Sequence, residues 1–102
     1  MIARVATFEG INIENARATM DEAEAVIRPL MEGLAGYQGR LDLANPDGQF
    51  VSITFFASEE DAAAAEPTFD EELPRRLGEI FTSWEGRRTS VARHTVVLDE
   101  RV

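Results

Sequence analysis

The sequence predicts an α+β fold with the element order βαββαβ, in which four antiparallel strands form one sheet and the helices cover one of its faces. Three observations support this prediction: a hairpin pattern in the middle of the chain, helical periodicity on either side of it, and a β-rich segment at each end. With 102 residues, the chain is predicted to be a single domain spanning residues 1–102.

The strands are predicted from runs of β-branched and aromatic residues that end at turn residues. Residues 1–9 predict the first strand, and residues 89–98 predict the last. Residues 37–44 and 49–57 alternate in polarity and are separated by the turn sequence Asn45-Pro46-Asp47-Gly48. These two segments are therefore predicted to form an antiparallel hairpin.

The helices are predicted from apolar residues at helical spacing. Thr19 and Glu22 form a capping-box pattern, so the first helix is predicted to begin there. Ser58 precedes three acidic residues, which predicts the N-terminus of a second helix. Pro67 interrupts that helix, and a further apolar stripe runs over residues 69–84. With right-handed connections, the elements form a ferredoxin-like sandwich.

The composition limits the classes of partner. Nineteen acidic residues against ten basic ones give a net charge of −9, and this charge repels the phosphate backbone, so no nucleic-acid partner is expected. No stretch approaches the roughly 20 apolar residues that span a bilayer, so no membrane partner is expected either. The absence of cysteine and of a signal-like N-terminal run indicates a cytoplasmic protein.

The alternation in the hairpin also predicts an apolar sheet face that the helices do not cover. Val51, Ile53 and Phe55 would share this face with Leu41 and Leu43. Burial of apolar surface is worth about 25 cal/mol per Å², and a large exposed apolar patch is unusual on a monomer. We therefore expect a homodimer in which two copies pack sheet against sheet.

Several local features between residues 29 and 61 are typical of one family. They are Pro29 in the first helix, Gly36-Tyr37-x-Gly39 at the start of the second strand, the turn at residues 45–48, and an aromatic residue, one further residue and Ser-Glu-Glu at residues 56–60. In these features the chain resembles the antibiotic-biosynthesis-monooxygenase-like branch of the dimeric α+β barrel superfamily. The resemblance implies a dimeric α+β barrel and cofactor-independent oxygenation of an aromatic compound.

The same resemblance argues against haem degradation. Haem-degrading members use an asparagine on the first strand, a tryptophan at the end of the third strand and a histidine on the second helix. The corresponding regions here offer Thr7, Phe56, and alanines with Glu66. His94 is the single histidine and has no cysteine or clustered carboxylate beside it, which is poor for a metal site. No cofactor and no metal are therefore expected.

A candidate ligand pocket is predicted in the cleft between the sheet and the helices. Aromatic side chains mixed with a few hydroxyls, from the third and first strands, are typical of a site for a flat apolar ligand. Tyr37 is a candidate proton donor, and His94 is a candidate acid, base or ligand. The candidate pocket residues are Val5, Thr7, Tyr37, Phe50, Ser52, Thr54, Phe56 and His94.

Plain structural roles also explain these residues, and no catalytic residue is assigned. The aromatic side chains can be core, the hydroxyls can bond locally, and His94 can be a structural residue of the sheet. Two functions therefore stay open. One is a cofactor-independent monooxygenase-like protein acting on an aromatic small molecule, and the other is a non-catalytic ligand-binding or structural homodimer.

Overall fold

A computed structural model describes residues 1–101 and contains one four-stranded antiparallel sheet in the spatial order β2-β3-β1-β4. Helices cover one of its two faces, so the predicted ferredoxin-like βαββαβ fold is confirmed. The strands are β1 (Ile2–Glu9), β2 (Tyr37–Ala44), β3 (Phe50–Phe56) and β4 (Arg87–Thr95).

Among the described residues, three α-helices and one π-helical turn form the second layer. The π-turn separates α2 from α3 and lies between two prolines, Pro67 and Pro74. Within residues 1–101, no helix is both long enough and apolar enough to cross a bilayer. The helical elements are α1 (Ile13–Glu32), α2 (Glu59–Ala64), the π-turn (Thr68–Glu72) and α3 (Leu73–Trp84).

The pairing of the central strands defines two faces. Arg4 lies opposite Thr54 and Ala6 lies opposite Ser52, and these pairs belong to the face that the helices cover, here called the inner face. Val5 lies opposite Ile53 on the other face, here called the outer face. Successive side chains of a strand point to opposite faces, so this register assigns every position of β1 and β3.

The start of α1 differs from the prediction. Asn12 is the N-cap, and its side-chain oxygen accepts a hydrogen bond from the backbone N–H of Asn15 at 3.0 Å. Thr19 lies inside the helix, where its hydroxyl donates to the carbonyl of Asn15 at 2.9 Å. The prediction of a capping box at Thr19 was wrong, because an asparagine upstream satisfies the first turn.

The local chemistry of the later elements follows the prediction more closely. Ser58 caps α2, with its hydroxyl accepting from the backbone N–H of Asp61 at 3.1 Å. The hairpin turn closes with a hydrogen bond from the N–H of Gly48 to the carbonyl of Asn45 at 3.2 Å, and Gly48 has a φ of 87°. Such a positive φ favours glycine.

The main hydrophobic core lies between α1 and α3. It contains Ala23, Ile27 and Met31 from α1 with Leu73 and Leu77 from α3. A smaller cluster under α2 surrounds the fully buried Phe56. These clusters hold the helices on the inner face but leave the middle of that face unfilled.

The outer face presents apolar side chains that no helix covers. Leu41 and Leu43 are 42% and 49% exposed, so about half of each leucine faces solvent in a single copy. Val51 and Ile53 are only partly buried on the same face. The predicted apolar face of the hairpin is thus present in the fold.

Gly36 connects α1 to β2 in a backbone conformation, and in a space, that favour glycine over other residues. Its φ is 71°, and a Cβ built there would lie 2.9 Å from the Cβ of Asp61 and closer still to the Asp61 carboxylate. We expect Gly36→Ala to lower the free energy of unfolding by about 1–3 kcal/mol. Gly78→Ala is the matched control, because Gly78 lies in α3 with open space around it.

The control should change stability in the opposite direction. Gly78 follows the kink at Leu77, but its φ lies outside the left-handed region and a Cβ there meets open space, so alanine fits this position. Replacing glycine by alanine at such a compatible site stabilises a protein by about 0.4–1 kcal/mol, so Gly78→Ala should raise the free energy of unfolding. Urea denaturation of the two variants beside the parent protein measures both effects. Equal losses in both variants would contradict the account of Gly36.

Candidate functional site: a cavity between the sheet and the helices

A cavity of about 360 Å³ lies between the inner face of the sheet and the helical layer. All four strands contribute to its floor, and α1, the π-turn and α3 form its roof. Small-molecule pockets have volumes of about 300–1,000 Å³ and mostly apolar walls, so the size is that of a ligand site.

One end of the cavity is aromatic. The rings of Phe8 and Phe50 meet edge to face, with centroids 6.1 Å apart and planes at 73°. Trp84 lies 6.4 Å from Phe50 and 5.1 Å from Phe81 between ring centroids. The indole N–H of Trp84 donates to the hydroxyl of Thr19 at 2.7 Å, which satisfies its polar edge.

A buried guanidinium forms part of the opposite wall. Arg4 is 2% exposed, and its Nε and Nη2 donate to the two carboxylate oxygens of Glu66 at 2.9 and 3.3 Å. The guanidinium carbon also lies 3.8 Å from the ring centroid of Phe69. A bidentate bond together with a cation–π contact compensates the burial of this charge.

A polar cluster lies at the β2 edge of the cavity, where β2 faces α1. Arg40 and Glu24 form an ion pair there, and their side chains are only 14% and 18% exposed. Asp42 follows on the same strand and lies opposite Ser52 of β3. We call Glu24, Arg40, Asp42 and Ser52 the β2-edge cluster.

The surroundings of the Asp42 carboxyl group raise its pKa. Burial of that carboxyl raises its pKa above the ordinary value of 3.8, and Glu24 adds to the rise. The hydroxyl of Ser52 and the charge of Arg40 lower the pKa, but by less. The residue as a whole is exposed and lines the cavity at its rim, so solvent still reaches part of this side chain.

A second charged pair lies at the β4 edge of the cavity. Arg88 on β4 donates to Asp70 on the π-turn at 2.8 Å, and both side chains are about half exposed. This pair is more accessible than the Arg40–Glu24 pair. The cavity thus has charged groups at both edges and an apolar middle.

The structure brings only part of the predicted pocket to the cavity. Phe50 and Ser52 line it. Thr54 and Phe56 lie on the inner face but are fully buried beyond the cavity wall, and in the described part of the chain the Thr54 hydroxyl has no hydrogen-bond partner. Tyr37 packs against the core between α1 and α3 rather than lining the cavity.

Three predicted placements were wrong in their face of the sheet. Val5 and Thr7 lie on the outer face, because Arg4 and its alternate neighbours on β1 face the helices. His94 lies opposite Ala3 on the outer face and is exposed. It cannot reach a cavity on the other side of the sheet.

The charged residues of the site are absent from the pocket predicted from the sequence. Arg4, Arg40 and Asp42 all alternate with apolar or small neighbours, a pattern that usually places the charge in solvent. The alternation on β2 did contain a signal, since placing Leu41 on the outer face puts Asp42 on the inner one. Within residues 1–101, no group of three or more His, Cys, Asp or Glu side chains is arranged to hold a metal ion.

Comparison with known proteins supports the fold. No family model and no curated protein matches the chain. The chain is similar to a dimeric ferredoxin-like protein from an uncultured marine organism (TM-score 0.68, 11% identity, 100% of both chains covered). It is also similar to a protein provisionally named an antibiotic biosynthesis monooxygenase from Bordetella bronchiseptica (TM-score 0.68, 16% identity, 95% of this chain and 97% of that chain).

A third similar structure contains a ligand. It is a monooxygenase from the gene ActVA-Orf6 of Streptomyces coelicolor, in complex with nanaomycin D (TM-score 0.61, 15% identity, 97% of this chain and 92% of that chain). These likenesses show the fold. The predicted resemblance to antibiotic-biosynthesis-monooxygenase-like proteins is confirmed as a resemblance in fold.

The raised pKa of Asp42 has a consequence for stability. A carboxyl whose pKa is higher in the folded than in the unfolded protein stabilises the fold below its ordinary pKa, and that contribution is lost as the pH rises through the raised value. Asp42→Asn removes this loss. The free energy of unfolding of the variant minus that of the parent should therefore increase from pH 3 towards pH 7.

Urea denaturation at a series of pH values measures this difference. The difference should level off once Asp42 is fully ionised in the parent protein. A difference that shrinks as the pH rises would contradict the cause given for the raised pKa.

Proposed function

We propose that this protein binds a planar aromatic small molecule in the cavity between the sheet and the helices, and that it oxygenates this molecule without a cofactor. The observation that supports the proposal is the cavity itself: about 360 Å³, with aromatic side chains at one end and the β2-edge cluster along one side. Flat rings pack well against such walls, and a few polar groups suffice to orient them.

The proposed reaction balances without a further reductant. The substrate is oxidised at an activated CH₂ carbon, and O₂ is reduced, so that the carbon becomes a carbonyl and the second oxygen atom leaves as water. The chain would bind the ring, exclude water from the reacting carbon, and orient the oxygen-bearing edge. Similarity in fold to two proteins named as monooxygenases supports this choice of reaction.

Protein-dependent oxygen consumption with a panel of anthrols, whose keto tautomers carry the activated CH₂ carbon, tests the proposal. We expect at least one compound to increase oxygen uptake, and Ser52→Leu to reduce this uptake by about tenfold or more because leucine extends into the cavity. Thr82→Leu is the matched control, since Thr82 is exposed on α3 and does not line the cavity. Thermal unfolding of both variants verifies that they fold.

The result is decisive in either direction. Uptake that Ser52→Leu leaves unchanged would place the reaction outside this cavity. A complete lack of uptake across the panel would remove the oxygenase proposal.

A binding protein without catalysis is the second candidate function. The observation that favours it is that the most buried charged groups of the cavity are already paired, Arg4 with Glu66 and Arg40 with Glu24, which leaves few free groups for chemistry. Saturable quenching of Trp84, the single tryptophan, by an aromatic compound without oxygen uptake would support this function.

We further propose that two copies associate through their outer faces. The partly exposed apolar side chains of β2 and β3 form one patch. The segment after β4 approaches the same face, since the guanidinium carbon of Arg101 lies 5.7 Å from the ring centroid of Phe55, and it contains Val97 and Leu98, which are 94% and 75% exposed. A two-fold arrangement would cover the same patch on both copies. Similarity to a dimeric ferredoxin-like protein supports this arrangement.

A charge in the middle of the outer face should prevent association. Light scattering at micromolar concentration is expected to give twice the chain mass of 11.3 kDa for the parent protein and a mass near 11.3 kDa for Ile53→Asp. Thr82→Asp adds the same charge on the exposed side of α3 and should stay dimeric. A parent protein that scatters as a monomer would exclude the proposed dimer.

A further inference from the structure

We infer that Asp42 determines the specificity of the cavity: its carboxylate accepts a hydrogen bond from a hydroxyl group on the edge of the bound aromatic ring. This inference rests on the proposed function, because it requires an aromatic molecule in the cavity. It assigns a role to a residue on the edge strand β2, away from the aromatic end.

Among the described residues, Asp42 differs from the other charged groups around the cavity because it has the Ser52 hydroxyl beside it rather than an ion-pair partner. Three ion pairs occupy the remaining charged side chains that face the cavity, whereas within residues 1–101 Asp42 takes part in no ion pair. These pairs are Arg4–Glu66, Arg40–Glu24 and Arg88–Asp70. A carboxylate needs several hydrogen-bond donors, so Asp42 keeps capacity for a ligand.

The floor of the cavity shows where such a ligand would lie. Ala6 and Ser52 are opposite one another in the middle of the inner face, and Asp42 continues this row onto β2. The neighbouring row contains Phe8 and Phe50, so aromatic rings flank the space above the small residues on one side, and the carboxylate lies at the β2 end of that space. A planar molecule above this row would place one edge beside Asp42.

Glu24 is the competing acceptor on α1, and one of its two carboxylate oxygens is already engaged by arginines. Its Oε1 pairs with Arg40 and also lies 3.7 Å from the guanidinium of Arg28. The groups that face Asp42 are Glu24 from α1, Arg40 from its own strand and the hydroxyl of Ser52 from β3. Only the hydroxyl and the guanidinium favour the ionised form, and the guanidinium is shared with Glu24.

Because of these surroundings, the molecule that occupies the cavity changes the free energy of the ionised Asp42 carboxylate. Burial already raises the pKa of this carboxyl. An aromatic ring without a hydroxyl would displace further water and leave the Ser52 hydroxyl as the main donor to the carboxylate, which is costly, whereas a hydroxyl at that edge would replace the lost water. A site built to bond a hydroxyl therefore rejects the analogue that lacks it.

A pair of probes that differ by one hydroxyl tests the inference. Quenching of Trp84 gives the dissociation constants of 2-naphthol and naphthalene for the parent protein, Asp42→Asn and Asp47→Asn. We expect the preference for 2-naphthol over naphthalene to fall by about tenfold in Asp42→Asn, since a hydrogen bond to a charged group is stronger than one to a neutral amide. Asp47→Asn, in the exposed hairpin turn, should keep the parent preference.

The pH dependence adds a readout that a loss of packing would not produce. In the parent protein the preference for 2-naphthol should increase as the pH rises and Asp42 ionises, while 2-naphthol itself remains neutral between pH 4 and pH 8. In Asp42→Asn the preference should not change with pH. Glu24→Gln should retain a preference that rises with pH.

The outcomes separate this inference from the proposed function. If both probes quench Trp84 saturably but Asp42→Asn keeps the parent preference, the cavity binds aromatic molecules and the role of Asp42 is overturned. If Glu24→Gln abolishes the pH dependence instead, Glu24 is the acceptor and the inference is equally overturned. If neither probe quenches Trp84 saturably, the inference and the aromatic ligand of the proposed function are both excluded.

Discussion

The antiparallel register between β1 and β3 is the constraint on which the other features of the molecule depend. Ile2 lies opposite Phe56 and Phe8 lies opposite Phe50, and these pairs decide which side chains of the central strands meet the helices. A shift of one residue would turn each inner set of side chains outward. The floor of the cavity, the buried guanidinium of Arg4 and the apolar outer face all follow from this one pairing.

The cavity exists because the residues in the middle of its floor have small side chains, while packed or paired side chains hold the sheet and the helices apart at both ends. Ala6 and Ser52 leave space under the roof, the aromatic group around Trp84 supports one end, and the pair of Arg4 with Glu66 supports the other. Protein interiors contain few voids larger than a water molecule, since the lining of a void loses its dispersion contacts. A space of about 360 Å³ is therefore unusual in so short a chain, and the proposed ligand site is built on it.

The fold class and much of the local structure could be predicted from the sequence, because the hairpin turn and the Ser58 cap depend on neighbouring residues alone. The charged residues of the site could not all be predicted, because their positions depend on partners that are distant in the chain. Arg4 alternates with apolar neighbours such as Val5, and the usual rule sends such a charge to solvent; Glu66, its partner, is 62 residues away. The inward position of Asp42 could be predicted, since the leucines on either side of it point outward.

The π-turn before α3 sets the rotation of that helix. Its hydrogen bond from the N–H of Leu73 to the carbonyl of Thr68 encloses one residue more than an α-helical turn does. An α-helix advances about 100° per residue, so removing this extra residue would rotate the whole of α3 by about a quarter of a turn. Phe81 and Trp84 would then leave the roof of the cavity. The single inserted residue, together with the kink at Leu77 that precedes both rings, therefore directs the aromatic end towards the sheet.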